Sequence, residues 1–352
     1  MLNTKTLTKV FSLTLLSVSL LACSNASENT TKTEGSTNSA GASEPSDQLQ
    51  TKFLTIGTGG ASGPYNIIGT AMSELYAQKF GVNSKTQTTG ASVENLNLLQ
   101  QKKLEMALVM NDALSDAVNG TGNFKQKVDN VQAVATLYPN YVQIITSSKK
   151  GINTIEDLRG KRIAVGAQGS GVELATRALL EGFGITYKDI TPDYLGFAEA
   201  SDGLKSGKLD AAFFTSGMPN SSVMELQQGF DLKVVSIPAD KLAEVAKTKK
   251  FFVQQVVPKG MYGNAEDIPT AAIMNTLVVR SDLSETDVYN LTKTFFENLD
   301  KLQTAHQAAK EITLQNAQTG LITQLHPGAK RYYDEAGKTS TAQHASNASV
   351  TR

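Results

Sequence analysis

At three places in this chain a short apolar strand runs into a glycine-serine turn that opens a helix. Phe53-Leu54-Thr55-Ile56 leads into Gly57-Thr58-Gly59-Gly60-Ala61-Ser62-Gly63, Lys85 to Thr88 into Gly90-Ala91-Ser92, and Lys161 to Val165 into Gly169-Ser170-Gly171. Alternation of this kind implies α/β layers around largely parallel sheets. Glycines let a ligand approach the backbone, and the first turn of a helix offers open N–H donors with a partial positive charge. Open α/β sheets bind ligands at the carboxyl ends of their strands, where these turns lie. Facing one cleft, such turns would hold a carboxylate or phosphate without lysine or arginine. Each turn by itself also reads as an ordinary cap, since Ser170 with Glu173 is a capping box.

The pattern extends along the body of the chain. A helix is predicted from about Tyr65 to Phe80, and a second with Val93, Leu96, Leu99 and Leu104 on one side. Met106 to Met110 reads as a buried strand with Asn111-Asp112 at its end, and Val131 to Leu137 and Tyr141 to Thr146 as two further strands. Thr154 to Gly160 forms a capped turn, and Val172, Ala175, Leu179 and Phe183 give the next helix its buried face. Strands follow near Asp193 to Phe197, Ala211 to Phe214, Lys233 to Ile237 and Ala272 to Val279. Val288, Leu291, Phe295, Leu299 and Leu302 predict one long amphipathic helix.

The start of the chain is of another kind. Lys5 and Lys9 precede an apolar run, Val10 to Leu21, that closes on Leu20-Leu21-Ala22-Cys23. Residues 1–23 therefore read as a secretory signal, too short to span a bilayer. The four closing residues resemble a bacterial lipobox, which implies lipidation of Cys23. Residues 24–51 are Ser, Thr, Asn, Gly and Glu with little that is apolar, and are expected to be a flexible stalk. Residues 339–352 return to Thr, Ala, Ser, Asn and Gln and are expected to be a disordered tail.

Composition removes several function classes. Basic and acidic residues balance at 33 each, and no basic block survives removal of the signal, so nucleic acid is excluded as a partner. Cys23 is the only cysteine, which leaves no disulfide or thiolate metal site once it is acylated. Catalysis fares no better. Gly57-Thr58-Gly59 begins like a dinucleotide fingerprint, but Ser62 stands where the last small residue belongs, and no acidic residue ends the next strand. No Gly-x-Ser-x-Gly elbow occurs. His306 and His326 lack metal-ligand spacing, and His344 lies in the expected tail. The sequence implies no enzyme, no cofactor and no metal.

Several blocks resemble the TAXI family of TRAP-transporter solute receptors. They are Leu54 to Gly60, Gly90 to Leu96, Gly169 to Glu173, Gly196-Phe197-Ala198-Glu199-Ala200, Asp210 to Phe214, and Leu325-His326-Pro327-Gly328-Ala329-Lys330-Arg331-Tyr332-Tyr333. The resemblance covers about Phe53 to Gly337, with the blocks in the family's order. It implies a two-lobed α/β periplasmic binding protein of type II with its ligand cleft between lobes. Lobe 1 would hold residues 52–145 and 267–338, and lobe 2 residues 146–266. Carried over by motif, the cleft would be lined by Gly59, Gly60, Tyr65, Ser92, Asn95, Asn111 and Asp112. The opposite lobe would add Gln168, Gly169, Ser170, Gly171, Ser216 and Gly217.

In that reading Ser170 and its neighbouring N–H groups grip a carboxylate, Asn95 donates and accepts, and Tyr65 walls the site. Asp112 holds an ammonium group or simply caps the next helix. The implied ligand is a small carboxylate of the glutamate, glutamine or 2-oxoglutarate type. A monomeric receptor would deliver it to TRAP permease subunits while the acylated Cys23 tethers it to the bilayer, on the outer face of the cell membrane or in a periplasmic leaflet. Val172 stands where the family usually has threonine, Ala91 where it has glycine, and Asn66-Ile67-Ile68 where tyrosine and proline are usual, so the ligand is not to be copied from a relative. Alternatives are a receptor lipoprotein of an ABC importer and a secreted hydrolase.

Overall fold

The computed structural model describes the backbone of residues 48–350 and side chains as far as residue 338. The signal segment, Cys23 and the stalk through residue 47 lie outside the described residues. The end of the segment read as a stalk is packed: Leu49 is buried in the core, and the amides of Gln50 and Thr51 donate to Asp287 at 2.7 and 2.9 Å.

The first half alternates β1 (Phe53–Gly57), α1 (Pro64–Phe80), β2 (Asn83–Gln87), α2 (Ser92–Gln100), β3 (Met106–Met110) and α3 (Asn111–Asn119). The long strand β4 (Val131–Ser147) leads to β5 (Arg162–Ala164), α4 (Gly171–Gly182), β6 (Thr191–Asp193), α5 (Phe197–Lys205) and β7 (Ala211–Ser216). Next come α6 (Ser221–Gln227), β8 (Leu232–Val235), α7 (Ala239–Thr248) and β9 (Val253–Val257). A second long strand, β10 (Ile268–Arg280), returns the chain to α8 (Glu285–Glu297), α9 (Leu299–Ala305) and α10 (Pro327–Val350).

The strands follow the order β2-β1-β3-β10-β4-β7-β5-β6, with β8 beside β4 and β9 beside β10. Both outer groups are parallel: β1 with β2 and β3, and β5 with β6 and β7. The long strands β4 and β10 join them antiparallel to each other and to β3 and β7. The arrangement is the α/β fold of the two-lobed periplasmic binding proteins of type II. Helix ends and strand ends thus face one another across the middle of the sheet.

The buried apolar residues divide there too. One pair of clusters runs from Leu49 to Tyr138 and from Leu277 to Tyr333, and the other occupies mainly Tyr141 to Ile273. The cores therefore change over inside β4 and β10 rather than at residues 145/146 and 266/267. The local chemistry explains why. Val131 to Leu137 and Tyr141 to Thr146 are one strand of 17 residues that passes through Pro139, not two strands. Pro139 has no N–H for a ladder and sits opposite Met274, where β10 shifts register between Met274 and Thr276. A proline facing a bulge is a weak point in a ladder, suited to act as a hinge.

Two other expectations are corrected. The strand read near Asp193 to Phe197 is the shorter β6, because Gly196 caps α5 and Phe197 already lies in that helix. The single helix through Leu302 breaks at Asn298, whose φ of −129° and ψ of 30° end α8 before α9 begins. The backbone beyond Lys338 continues α10 to Val350, where the chain offers Ala, Ser, Thr and Gln without glycine or proline to stop it. Among the described residues no helix is long and apolar enough to cross a membrane.

Candidate functional site

Each glycine-serine turn lies where the sequence places it, and all three border a cavity of about 510 Å³ between the two cores. Its lining includes the first turn from Gly59 to Tyr65, Thr88 to Ser92 before α2, and Ser170 to Val172 at the start of α4. Leu195 to Glu199 before and within α5 and Thr215-Ser216 at the end of β7 line the other side, together with Asn140 of β4.

The two walls touch. The Glu94 amide donates to the Gly169 carbonyl at 3.3 Å, and the Ser221 hydroxyl donates to the Ser62 carbonyl at 2.7 Å. A Cβ on Gly171 would lie 2.7 Å from Met110 Sδ and 2.8 Å from Ser92 Oγ. The cleft is therefore shut, with glycine at the point of tightest approach. Gly171→Ala is expected to hold the walls apart. Overpacking of about 1–3 kcal/mol falls on the closed form alone, so ligand affinity should drop roughly 10- to 100-fold. Isothermal titration beside a chemical-unfolding curve checks this, and an unchanged affinity would mean the closed contact is irrelevant to binding.

Both serines at the helix starts accept one backbone amide. Ser170 Oγ accepts from the Glu173 amide at 3.0 Å, which is the capping role, and Ser92 Oγ accepts from the Met110 amide at 3.0 Å. The Ser170 hydroxyl keeps its proton to donate, whereas the Ser92 hydroxyl also lies against the Tyr65 phenol. The amides of Ser92, Val93, Gly171 and Val172 are left open by the geometry of a helix start. Ala91, at the cap of α2, holds φ 78° and ψ −139°, close to the positive-φ extended region that is essentially restricted to glycine and costs about 1–3 kcal/mol.

Tyr65 ties the first turn to the long strands β10 and β4. Its hydroxyl donates to Asn275 Oδ1 at 2.5 Å, and Asn275 Nδ2 donates to the Tyr138 carbonyl at 2.7 Å. Burial pushes the Tyr65 phenol well above its usual range, opposed by the Ser92 and Asn140 side chains beside it, while Asp112 pushes it further up. Two lining side chains hold polar atoms with no partner in the protein: Asn140 Oδ1, on a residue 5% exposed, and Thr215 Oγ1, on a residue 1% exposed. Buried polar atoms of this kind are paired in folded proteins, so here they point to something outside the chain.

Of the residues expected in the cleft, Gly59, Gly60, Tyr65, Ser92, Ser170, Gly171 and Ser216 line the cavity. The others lie behind it. Asn95 is fully buried scaffolding: its Nδ2 donates to the Thr58 and Leu108 carbonyls at 2.7 and 3.0 Å, and its Oδ1 accepts from Thr89 at 2.7 Å. Asn111 is taken up by the Gly320 carbonyl and the Thr276 hydroxyl. Gln168 and Gly169 form the wall-to-wall contact, where the Gln168 carbonyl faces Gly90. Gly217 packs against the Tyr138 ring and Ala308. Asp112 is buried, with Oδ1 accepting from the Ala113 amide at 2.8 Å and Oδ2 unpartnered, and burial pushes its pKa up to about 7.

Asn140, Thr215 and Phe197 were not foreseen. Asn140 falls in the gap between the strands expected at Val131 to Leu137 and Tyr141 to Thr146, and Thr215 directly precedes Ser216, but only the meeting of β4 and β7 brings the two together. His306 and His326 are structural. His306 Nδ1 accepts from the Ala308 amide, and His326 Nδ1 from the Gly328 amide, with burial holding both rings below the usual histidine range.

A family model described as the NMT1-like family matches residues 56–337. The chain belongs to the NMT1-like family. The match runs from β1 into α10 and so contains every element of the NMT1-like cleft described above. Two solved structures show the fold shared more widely. A protein from Bordetella bronchiseptica RB50 has 17% identity and a TM-score of 0.50 over 83% of each chain. PhnD1 from Prochlorococcus marinus (MIT 9301), solved with methylphosphonate, has 13% identity and a TM-score of 0.50 over 74% of this chain and 90% of its own. At these identities the likeness is one of fold.

Proposed function

We propose that this chain is an extracytoplasmic solute receptor rather than an enzyme. It captures a small carboxylate between its lobes and delivers it to a membrane permease, held to the bilayer by an acylated Cys23. One observation carries the reading: the starts of α2 and α4, from opposite walls, meet at one closed cavity. Their open amides and the Ser92 and Ser170 hydroxyls form a cradle that exists only when the walls are together. Closure is therefore coupled to ligand, and the closed form is what a permease would recognise.

The blocks that resemble TAXI receptors make a TRAP permease the first reading of the partner. An ABC importer is the second, because the established family is the broader NMT1-like one and a two-lobed hinged cleft serves receptors of both carriers. Chromosomal neighbours encoding TRAP permease subunits or an ATPase would decide between them.

A thermal-shift panel on protein refolded from denaturant, so that no carried-over ligand remains, tests the receptor reading. With glutamate, glutamine, 2-oxoglutarate and other small carboxylates present, a ligand at about a hundred times its Kd adds about 2.7 kcal/mol. That should raise Tm by about 5–10 °C. No shift with any carboxylate would sink the proposal.

A further inference from the structure

We propose that the cavity selects a monoanion: one carboxylate with a hydrogen-bonding group beside it, on an apolar body. The inference rests on the receptor reading and narrows its ligand. No lysine or arginine lines the cavity, and among the described residues its only charged lining side chain is the carboxylate of Glu199. Positive potential must then come from helix starts, each equivalent to roughly half a charge.

Four helices begin at the cavity, but three are already answered. α1 opens with Pro64, which has no N–H. α5 carries Glu199 in its own first turn, and that carboxylate folds back until its Oε2 lies 2.7 Å from where a Cβ on Gly196 would be. α2 likewise carries Glu94, whose Oε2 accepts from the Gly90 amide at 2.6 Å. α4 remains, and it supplies roughly half a positive charge, too little to balance a second carboxylate. Glu173 of α4 does not cancel it, being paired with Arg177.

The unpartnered Asn140 and Thr215 atoms are independent signs of a ligand. Both residues are more than nine-tenths buried and line the same cavity, and Asn140 lies beside the Tyr65 hydroxyl near Ser92. Thr215 Oγ1 can donate and Asn140 Oδ1 can only accept, so together they suit a hydroxyl group next to the carboxylate. Elsewhere the lining is apolar, with Pro64, Met110, Val172, Leu195 and Phe197. A second carboxylate would lie among these groups or against Glu199, and an unpaired buried charge is strongly disfavoured.

Calorimetric titration of the stripped full chain tests this. The branched hydroxy acid 2-hydroxy-4-methylpentanoate should bind about a hundredfold more tightly than 2-oxoglutarate, succinate or methylphosphonate. Glu199→Gln, a change on an exposed residue, should raise succinate affinity about tenfold. A dianion or glutamate that binds as tightly as the branched acid overturns the inference and leaves the receptor reading standing. Binding of no anion at all overturns the receptor reading itself.

Discussion

Gly328→Ala is expected to destabilise the fold by about 3 kcal/mol or more, the upper end of what overpacking costs. Helix propensity alone gives the opposite sign, since alanine is favoured over glycine by about 1 kcal/mol within a helix. Packing decides. A Cβ at Gly328 would press on the Glu285 carbonyl oxygen and lie 2.5 Å from the Tyr289 amide nitrogen. Both are backbone atoms of α8, so no side-chain rotation can relieve the clash. α10 would have to lift off α8, pulling apart Phe296 and Tyr332, whose rings stack at 5.7 Å. The control is Gly337→Ala in the same helix, where an added Cβ meets nothing within 4 Å and propensity should act alone. Urea unfolding of the two variants separates the effects. Equal stabilities would show that the α8–α10 approach is looser than the structure has it.

That prediction also shows what the closing His326-Pro327-Gly328 block does. From sequence it marks a family, and nothing in it says site or scaffold. In the fold, His326 caps the helix start, its Nε2 lies 3.2 Å from the Leu283 carbonyl, Pro327 occupies the first helical position, and Gly328 permits the crossing. The glycine-serine turns were legible because strand, turn and helix are local patterns. Their convergence on one cavity was inferred from the same patterns, and most of the lining follows it. Asn95 and Asn111 lie behind the cavity lining for a reason that no local pattern carries. An asparagine in a helix first turn faces cavity or core according to which strands lie behind it, and here Leu108 and Thr276 do. The continuity of β4 was hidden in the same way: Val131 to Leu137 and Tyr141 to Thr146 read as two strands, whereas β10 pairs with both past Pro139 with a bulge.

Asp112 supplies the second large effect, on the pH dependence of stability. Its carboxyl is buried beside α3, with one oxygen on the Ala113 amide and the other unpartnered. Loss of solvation raises its pKa from 3.8 to about 7, a shift that the Ala113 amide opposes and nearby Asp116 reinforces. The folded chain therefore holds a proton that the unfolded chain releases. Stability from this group is fully present below about pH 4 and is lost as pH rises through about 7. A shift of about 3 units corresponds to roughly 4 kcal/mol. Unfolding free energy measured from pH 4 to pH 8 should fall in the wild type by about that much more than in Asp112→Asn, which has no proton to lose there. The comparison cancels every other titrating group, since the two proteins share them. Parallel curves would mean that Oδ2 finds a partner or water when ionised. A converging pair, with the variant gaining on the wild type as pH rises, would identify Asp112 as a neutral acid over most of that range, and a neutral acid beside Tyr65 makes no demand for an ammonium group in the ligand.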